Sequence, residues 1–244
     1  MELNRRSFVK TAGVAGGAAV LAGLGASAAQ AYEAAPWMPK AWDAEADAVI
    51  IGYGAAGSAA AIELADRGFT SLLIEKMNKE YAGGDCSVCG GYLTDGGFTP
   101  ETYRVSTLHG IDTAYAEAVV PVLNDAYNFL VGLGVEMQDG LPIVASVDGQ
   151  PFGQSLYHGL EAAVEERANM ITVMYETPGI GLVQDPVTGE VLGVVAGTKE
   201  APLYLKANRG VVVASGSYEA DREMTNRIHM PGVLFPTIGS PANT

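Results

Sequence analysis

Residues 47–76 read DAVIIGYGAAGSAAAIELADRGFTSLLIEK. The apolar, β-branched run 48–51 has the length and composition of a buried parallel strand. Gly52, Gly54 and Gly57 follow it in G-x-G-x-x-G spacing. The first permits a tight turn out of the strand, the second lets a pyrophosphate approach the backbone, and the third lets the next helix pack closely on the sheet. Each role needs a missing Cβ. Residues 58–67 then read as a helix of small residues with Ile62 and Leu64 for packing, and Gly68 ends it. The N-terminal turn before it, with Ala55 and Ala56, aims unpaired N–H groups at the diphosphate. A second apolar run, 71–74, ends in Glu75 at roughly the twenty-residue offset where a carboxylate accepts hydrogen bonds from a ribose. An acid there favours an unphosphorylated ribose. A glycine turn alone is a weak sign in a chain with 31 glycines. Strand, turn, helix, strand and acid in sequence point to a dinucleotide site, against the alternative of an empty turn that merely packs a helix on a sheet.

The chain has 244 residues, enough for one large or two modest domains with an ample core. Acidic residues outnumber basic ones 28 to 14, for a formal charge of -14. That balance disfavours nucleic acid as a partner and accords with solubility. Residues 1–31 read as a targeting segment. Asn4, Arg5, Arg6, Ser7, Phe8, Val9 and Lys10 resemble a twin-arginine export signal, and an apolar region rich in Gly and Ala follows over 11–29. Ala29-Gln30-Ala31 offers a small-x-small cleavage site, leaving Tyr32 first; the alternative is an uncleaved anchor, which the weak hydrophobicity of the segment disfavours. The twin-arginine route carries folded proteins, which suits one that acquires its cofactor in the cytoplasm. The expected location is therefore periplasmic or otherwise extracytoplasmic, with membrane contact only through the signal. Residues 32–45 read as an N-terminal extension tacked to the body by Trp37 and Trp42, and 46–244 as the cofactor-binding domain.

After Glu75 and Lys76 the chain reads GGDCSVCGG over 83–91. So many glycines free the backbone to approach something flat or to donate several N–H groups at once. Strand, G-x-G-x-x-G, Glu-Lys and this loop together resemble the flavoprotein family of fumarate reductases and succinate dehydrogenases, with the related urocanate reductases and 3-ketosteroid dehydrogenases. The family's loop is typically G-G-N-S-x-x-S/A-G-G and lies against the FAD isoalloxazine and diphosphate. The resemblance implies cofactor contacts at Gly83, Gly84, Cys86, Ser87, Gly90 and Gly91. Asp85 stands where the family has Asn, and Cys86 and Cys89 where it has small hydroxylic or alanyl residues. Asp85 near a flavin would disfavour its anionic reduced form and lower its potential. The resemblance also implies non-covalent FAD, because no histidine sits in the loop where relatives that attach flavin covalently carry one.

Cys86 and Cys89 form C-x-x-C and are the only cysteines. Three readings stand open: inert small residues in a cofactor loop, a reversible disulfide beside the flavin, or another role. A thioredoxin-like site wants the pair at a helix N-terminus, which the flanking glycines argue against. Zinc wants two further ligands, and His109, His158 and His229 are scattered.

Residues 100–134 are helical by pattern, with Thr99-Pro100 as N-cap and first turn, Val119, Val120, Leu123, Tyr127, Leu130 and Val131 on one face, and Pro121 expected to kink or split the element. His109 reads as a loop residue. Residues 151–169 form an amphipathic helix carrying Leu156, Leu160 and Val164, with His158 on its surface. Segments 171–175, 181–184, 191–198 and 203–206 then alternate like a β-meander, with Asp185-Pro186 and Thr188-Gly189 as turns. The family has a three-stranded meander here, and the resemblance places a backbone group near Gly179 against the adenine. GVVVASG, 210–216, reads as a buried strand ending in small residues and resembles the family's V-x-L-A-T-G-G. That likeness assigns Ala214, Ser215 and Gly216 to the FAD pyrophosphate, with Ser215 and Ser217 replacing Thr and Gly. Ser217 to Met224 resembles the family's G-F-x-x-N-x-E-M.

The expected fold is thus α/β: a Rossmann-like FAD-binding domain, parallel sheet with helices plus a three-stranded meander, incomplete without a C-terminal half. The resemblance covers about 46–244 and ends at SPANT, which resembles the run before the family's Gly-Asp-Gly. The family's capping domain and catalytic residues lie beyond that point, so no catalytic residue is assigned. The implied activity is reduction of an activated C=C bond of a small organic substrate, with an exported cytochrome as possible redox partner. The alternative is a truncated FAD-binding module without catalysis.

Overall fold

In the computed structural model, residues 38–93, 99–106, 108–139, 143–218, 220–228 and 240 are described. The proposed signal segment and Trp37 lie outside them. In chain order the elements are β1 (Ala44–Ile51), α1 (Ala55–Asp66), β2 (Ser71–Ile74), α2 (Gly84–Val88), α3 (Pro100–Ser106) and α4 (Thr113–Gly132). There follow α5 (Phe152–Glu165), β3 (Ile171–Met174), β4 (Gly179–Gln184), β5 (Val191–Gly197), β6 (Pro202–Val213) and α6 (Arg222–Ile228).

All six strands join one sheet in the order β3-β2-β1-β6-β5-β4. β1 pairs in parallel with β2 and with β6, and β2 with β3; β4, β5 and β6 run antiparallel. This is the expected α/β architecture. The strands alternate faces as a two-sided sheet requires. Ile50 and Leu73 face α1 and α5, meeting Ala61, Ile62, Leu160 and Val164. Val49, Leu72 and Ile74 face the other way, with Val194, Ala196 and Leu205.

α1 closes as its sequence dictates. Gly68, at φ +81°, donates to the Ala65 carbonyl, and Phe69 donates to that of Leu64, the paired bonds of a Schellman motif. Asp47 fastens the two segments beside it. Its carboxylate accepts from the Thr70 N–H at 3.0 Å, the Thr70 hydroxyl at 3.0 Å and the Arg209 guanidinium at 2.9 Å.

Several expectations need correction. Strand β1 begins at Ala44 rather than Ala48, because Ala44, Glu45 and Ala46 pair with Leu205, Lys206 and Ala207 ahead of a bulge at Asp47. The strand therefore takes in the last two residues read as extension. The Trp42 ring lies over β5, where a Cβ on Gly193 would come within 2.7 Å of it, so Trp42 does hold the entering chain to the sheet.

Segments 203–206 and 210–213 are one twelve-residue strand rather than two. Segment 171–174 is no part of the meander; it pairs in parallel with β2 at the far edge of the sheet. The end of β6 is not buried either: Val213 is 64% exposed. Finally, the helical region 100–134 divides at Leu108 and His109, both at positive φ, and not at Pro121, which sits inside α4. Thr99 does cap α3, accepting from the Thr102 N–H at 3.1 Å.

Candidate functional site

The sheet's strand order reverses around β1: the chain leaves β1 for β2 on one side and reaches β6 on the other. At such a switch point the C-terminal strand ends diverge and leave a crevice. A cleft of about 930 Å³ opens there, lined from the ends of β1, β2 and β6, the start of β4 and the segment 83–89. It sits at the upper end of the range for small-ligand and cofactor sites.

The three glycines after β1 divide their work between the fold and the cleft. A Cβ on Gly52, at φ +102°, would stand 2.4 Å from the Ala214 carbonyl oxygen, so this glycine lets β6 close against the turn. A Cβ on Gly57 would stand 1.9 Å from the Gly52 carbonyl oxygen, so this one lets α1 pack on the turn. Gly54 is different. Its nearest neighbour would be the Gly83 carbonyl oxygen at 3.4 Å, its backbone is extended at φ −94° and ψ −165°, and it lines the cleft. The chain itself has little need of a glycine there; a ligand lying on that backbone has. Next to it Ala55 and Ala56 are exposed at the start of α1, where no side chain caps the helix. The first N–H groups of a helix have no partner within it, and the helix dipole makes that end attractive to anions.

Glu75 is placed otherwise than expected. The sequence reading gives its carboxylate to a ribose; in the structure it is 8% exposed and already serves the chain's own backbone. One oxygen accepts from the Tyr53 N–H at 2.8 Å and the other from the Met77 N–H at 2.9 Å. It therefore pins the glycine turn to the end of β2 as well as lining the cleft. The loop after β3 reinforces this arrangement, with Thr177 donating to the Glu75 carbonyl at 2.8 Å and Glu176 to that of Met77 at 3.0 Å. Each carboxylate oxygen keeps a lone pair beyond the one it uses.

Residues 83–91 are less of an open loop than their glycines suggest, since 84–88 form the short helix α2. Gly83 lies against the Tyr157 ring, where a Cβ would come within 2.8 Å, and Gly91 against Phe152, within 2.6 Å. α5 thus forms the seat of this segment. Tyr53 and Tyr157 meet edge to face beneath it, ring centroids 5.5 Å apart, with both hydroxyls buried and unpartnered among the described residues. Burial raises both phenols far above their ordinary value and keeps them neutral. Asp85 lines the cleft, and its Oδ1 accepts from the Ser240 N–H at 2.6 Å.

Of the residues singled out from sequence, the cleft gathers Gly52, Gly54, Ala55, Ala56, Glu75, Lys76, Gly83, Gly84, Cys86, Gly179, Ala214, Ser215 and Gly216. Gly57, Ser87, Gly90 and Gly91 are not among its lining. Gly57 packs the helix, and the Ser87 hydroxyl donates to the Gly84 carbonyl at 2.8 Å. The cleft also contains Tyr53, Met77, Pro178, Tyr218, Asp221 and Met224, which the sequence reading did not assign. Tyr53 had a signal, its place between the two glycines of G-x-G. Pro178 and Met77 reach the cleft only through strand order, which no local pattern encodes.

The fit to a dinucleotide rests on this chain's own atoms: the space above Gly54, the uncapped start of α1 and the carboxylate of Glu75. Comparisons with known proteins agree. The family model described as FAD binding domain matches residues 47–244. Digoxin reductase of Eggerthella lenta is 36% identical over 149 residues, which is 54% of this chain and 24% of that protein. The acrylate reductase flavoprotein subunit of Shewanella woodyi is 36% identical over 116 residues, 47% of this chain and 21% of that one. The chain thus spans about a quarter of the length of these curated relatives. Among solved structures, a 3-ketosteroid-Δ4-(5α)-dehydrogenase from Rhodococcus jostii aligns with a TM-score of 0.66 and 26% identity over 79% of this chain and 50% of that one. A flavocytochrome c3 fumarate reductase aligns with a TM-score of 0.67 over 83% of this chain and 39% of that one; at 17% identity that likeness concerns the fold. The chain therefore belongs to the FAD-binding domain family that includes the fumarate-reductase flavoproteins, and its cofactor is FAD.

Proposed function

We propose that this chain is the FAD-holding part of a reductase that delivers hydride from flavin N5 to an activated C=C bond of a small organic substrate. The observation that carries the proposal is the cleft at the sheet's switch point, with its open Gly54 backbone and Glu75. The reductase relatives support the choice of reaction class. Bound FAD supplies two-electron chemistry, accepting electrons from a donor and passing hydride.

The chain's own groups bind and orient. The start of α1 and Gly54 receive the pyrophosphate, Glu75 the ribose of the adenosine, and Gly179 the adenine edge. Segment 83–89 and the end of β6 meet the remaining length of the cofactor. FAD is held without a covalent bond, the protein is exported by the twin-arginine route, and an exported cytochrome is the candidate electron donor.

Purification followed by an absorbance spectrum is the first test. A flavin spectrum is expected, with the flavin lost from the polypeptide on denaturation. Flavin remaining on the denatured chain would refute non-covalent binding, and failure to bind added FAD would refute the cofactor role. Reduced, flavin-loaded protein is then mixed anaerobically with fumarate, acrylate and an enone. Reoxidation by one of them supports the reductase. Flavin that binds but is reoxidised by none supports the second reading, a binding module whose catalytic groups are supplied elsewhere.

A further inference from the structure

Cys86 and Cys89 are the only cysteines in the sequence, and both line the cofactor cleft with free thiols. Cys86 lies within α2 and is 9% exposed; Cys89 caps that helix in extended backbone, φ −72° and ψ 165°, and is exposed. Residues three apart on a helix hold their Cβ atoms about 5–6 Å apart, against about 3.8 Å in a disulfide. A closure of roughly 2 Å is therefore needed.

The surroundings decide which residue moves. Gly153 of α5 packs so closely beneath the pair that a Cβ on it would come within 2.5 to 2.7 Å of the Cys89 carbonyl oxygen, the Cys89 nitrogen and the Cys86 carbonyl oxygen. The backbone is held from below. Beyond it, nothing lies within 4 Å of where a Gly90 Cβ would be, so the chain has room on that side, and Cys89 is exposed, its Sγ accepting from the Gly91 N–H at 3.4 Å. A shift of the Cys89–Gly90 backbone into that room brings the Cβ atoms together. Rotation about the Cys89 Cα–Cβ bond then turns Sγ towards Cys86 and releases the Gly91 N–H.

We propose that Cys86 and Cys89 form a reversible dithiol–disulfide couple on the wall of the cofactor cleft, exchanging with small disulfides of the glutathione type. The Cys89 thiolate attacks one sulfur of the small disulfide, whose S–S bond breaks, and one small thiolate leaves. Cys86 then gives its proton to solvent, and its sulfur attacks that of Cys89, releasing the second small thiol. Two protein thiols are oxidised to one disulfide while one small disulfide is reduced to two thiols. Burial first, and Cys89 second, push the Cys86 thiol up to about 12, so of the pair the buried cysteine is the poorer first nucleophile. The solvent-facing cysteine reacts first and the buried one resolves.

Closing the couple draws Cys89 along the cleft wall, so the oxidised and reduced forms present different walls to FAD. By linkage, whatever preference FAD has for one form reappears as a shift of the couple's midpoint. This second part rests on the FAD reading; the thiol chemistry does not.

The full chain is equilibrated in glutathione buffers of graded oxidation, without and with saturating FAD, quenched with an alkylating reagent and weighed. Without FAD, both thiols are expected to escape labelling together, with loss of the mass of two hydrogens and no dimer. Cys86→Ser should leave a stable glutathione adduct on Cys89, while Cys89→Ser should leave Cys86 unoxidised. With FAD, the midpoint should move by about 30 mV for each tenfold preference of FAD between the two forms, towards more oxidising buffers if it prefers the dithiol and towards more reducing ones if it prefers the disulfide. Thiols that label fully across the range, or oxidation that stops at glutathione adducts or inter-chain dimers, would overturn the couple. A disulfide that forms with a midpoint indifferent to bound FAD would overturn its coupling to the cleft. Failure of the chain to bind FAD would instead sink the flavin reading and leave the first result standing.

Discussion

Gly54, Gly57 and Glu75 serve the ligand, the fold and both in turn, and substitution separates their contributions. Gly57→Ala places a Cβ 1.9 Å from the Gly52 carbonyl oxygen, so it should cost at least about 3 kcal/mol of cofactor-free stability, the upper end for overpacking. The Cβ that Gly54→Val adds would meet only Gly83, at the ordinary contact distance of 3.4 Å from its carbonyl oxygen, and the extended backbone is one a β-branched residue adopts, so the melting temperature without cofactor should stay near wild type while FAD binding is lost. Glu75→Gln should injure both properties. A glutamine offers one acceptor and one donor where the turn presents two N–H donors, which costs about 1–3 kcal/mol for the group left unmatched. FAD affinity should fall about tenfold with the weaker ribose contact. Melting curves without cofactor, beside FAD titrations of the three variants, test all of this. Equal loss of stability in Gly54→Val and Gly57→Ala would show that the cleft glycine serves the fold and not the ligand.

Among the elements, two fastenings give direct tests. Asp112 caps α4, its carboxylate accepting from the Tyr115 N–H at 2.7 Å, and Asp112→Ala should cost about 1 kcal/mol by chemical denaturation. Asp47 is held below the ordinary carboxylate value of 3.8, first by its backbone hydrogen bond from Thr70, then by Arg209. A folded-state value below the unfolded one means that the stabilisation is present above 3.8 and is lost as pH falls through the lower, folded-state value. Asp47→Asn should therefore lower the melting temperature at neutral pH, and the gap from wild type should narrow in acid below 3.8. A gap that stays constant with pH would assign the effect to shape and not charge. Element reading succeeded where the signal is local, as in the Gly68 terminus of α1 and the Thr99 cap of α3. It failed over β6, because alternation cannot tell two short strands from one long strand whose middle lies at a sheet bulge.

At the scale of the whole molecule, the remaining prediction concerns export. Arg5→Lys combined with Arg6→Lys should retain the protein in the cytoplasm, measured by cell fractionation with a cytoplasmic marker. Normal export of the double variant would refute the twin-arginine reading. The sequence by itself determined the glycine turn, the acid at the end of β2 and the α/β class, because each depends on neighbours in the chain: a missing Cβ, a strand period, a cap. Only the tertiary structure decided that Glu75 is buried against two backbone N–H groups and that Gly54 alone of the three glycines has room for a Cβ. It also brings Gly179 and Ala214, which the resemblance assigns to the cofactor, into one cleft with Gly52. These facts depend on β6 returning beside β1 from more than 150 residues away in sequence. Contacts of that kind are set by which strand edges remain to be paired once the local elements have formed, and no local periodicity records them.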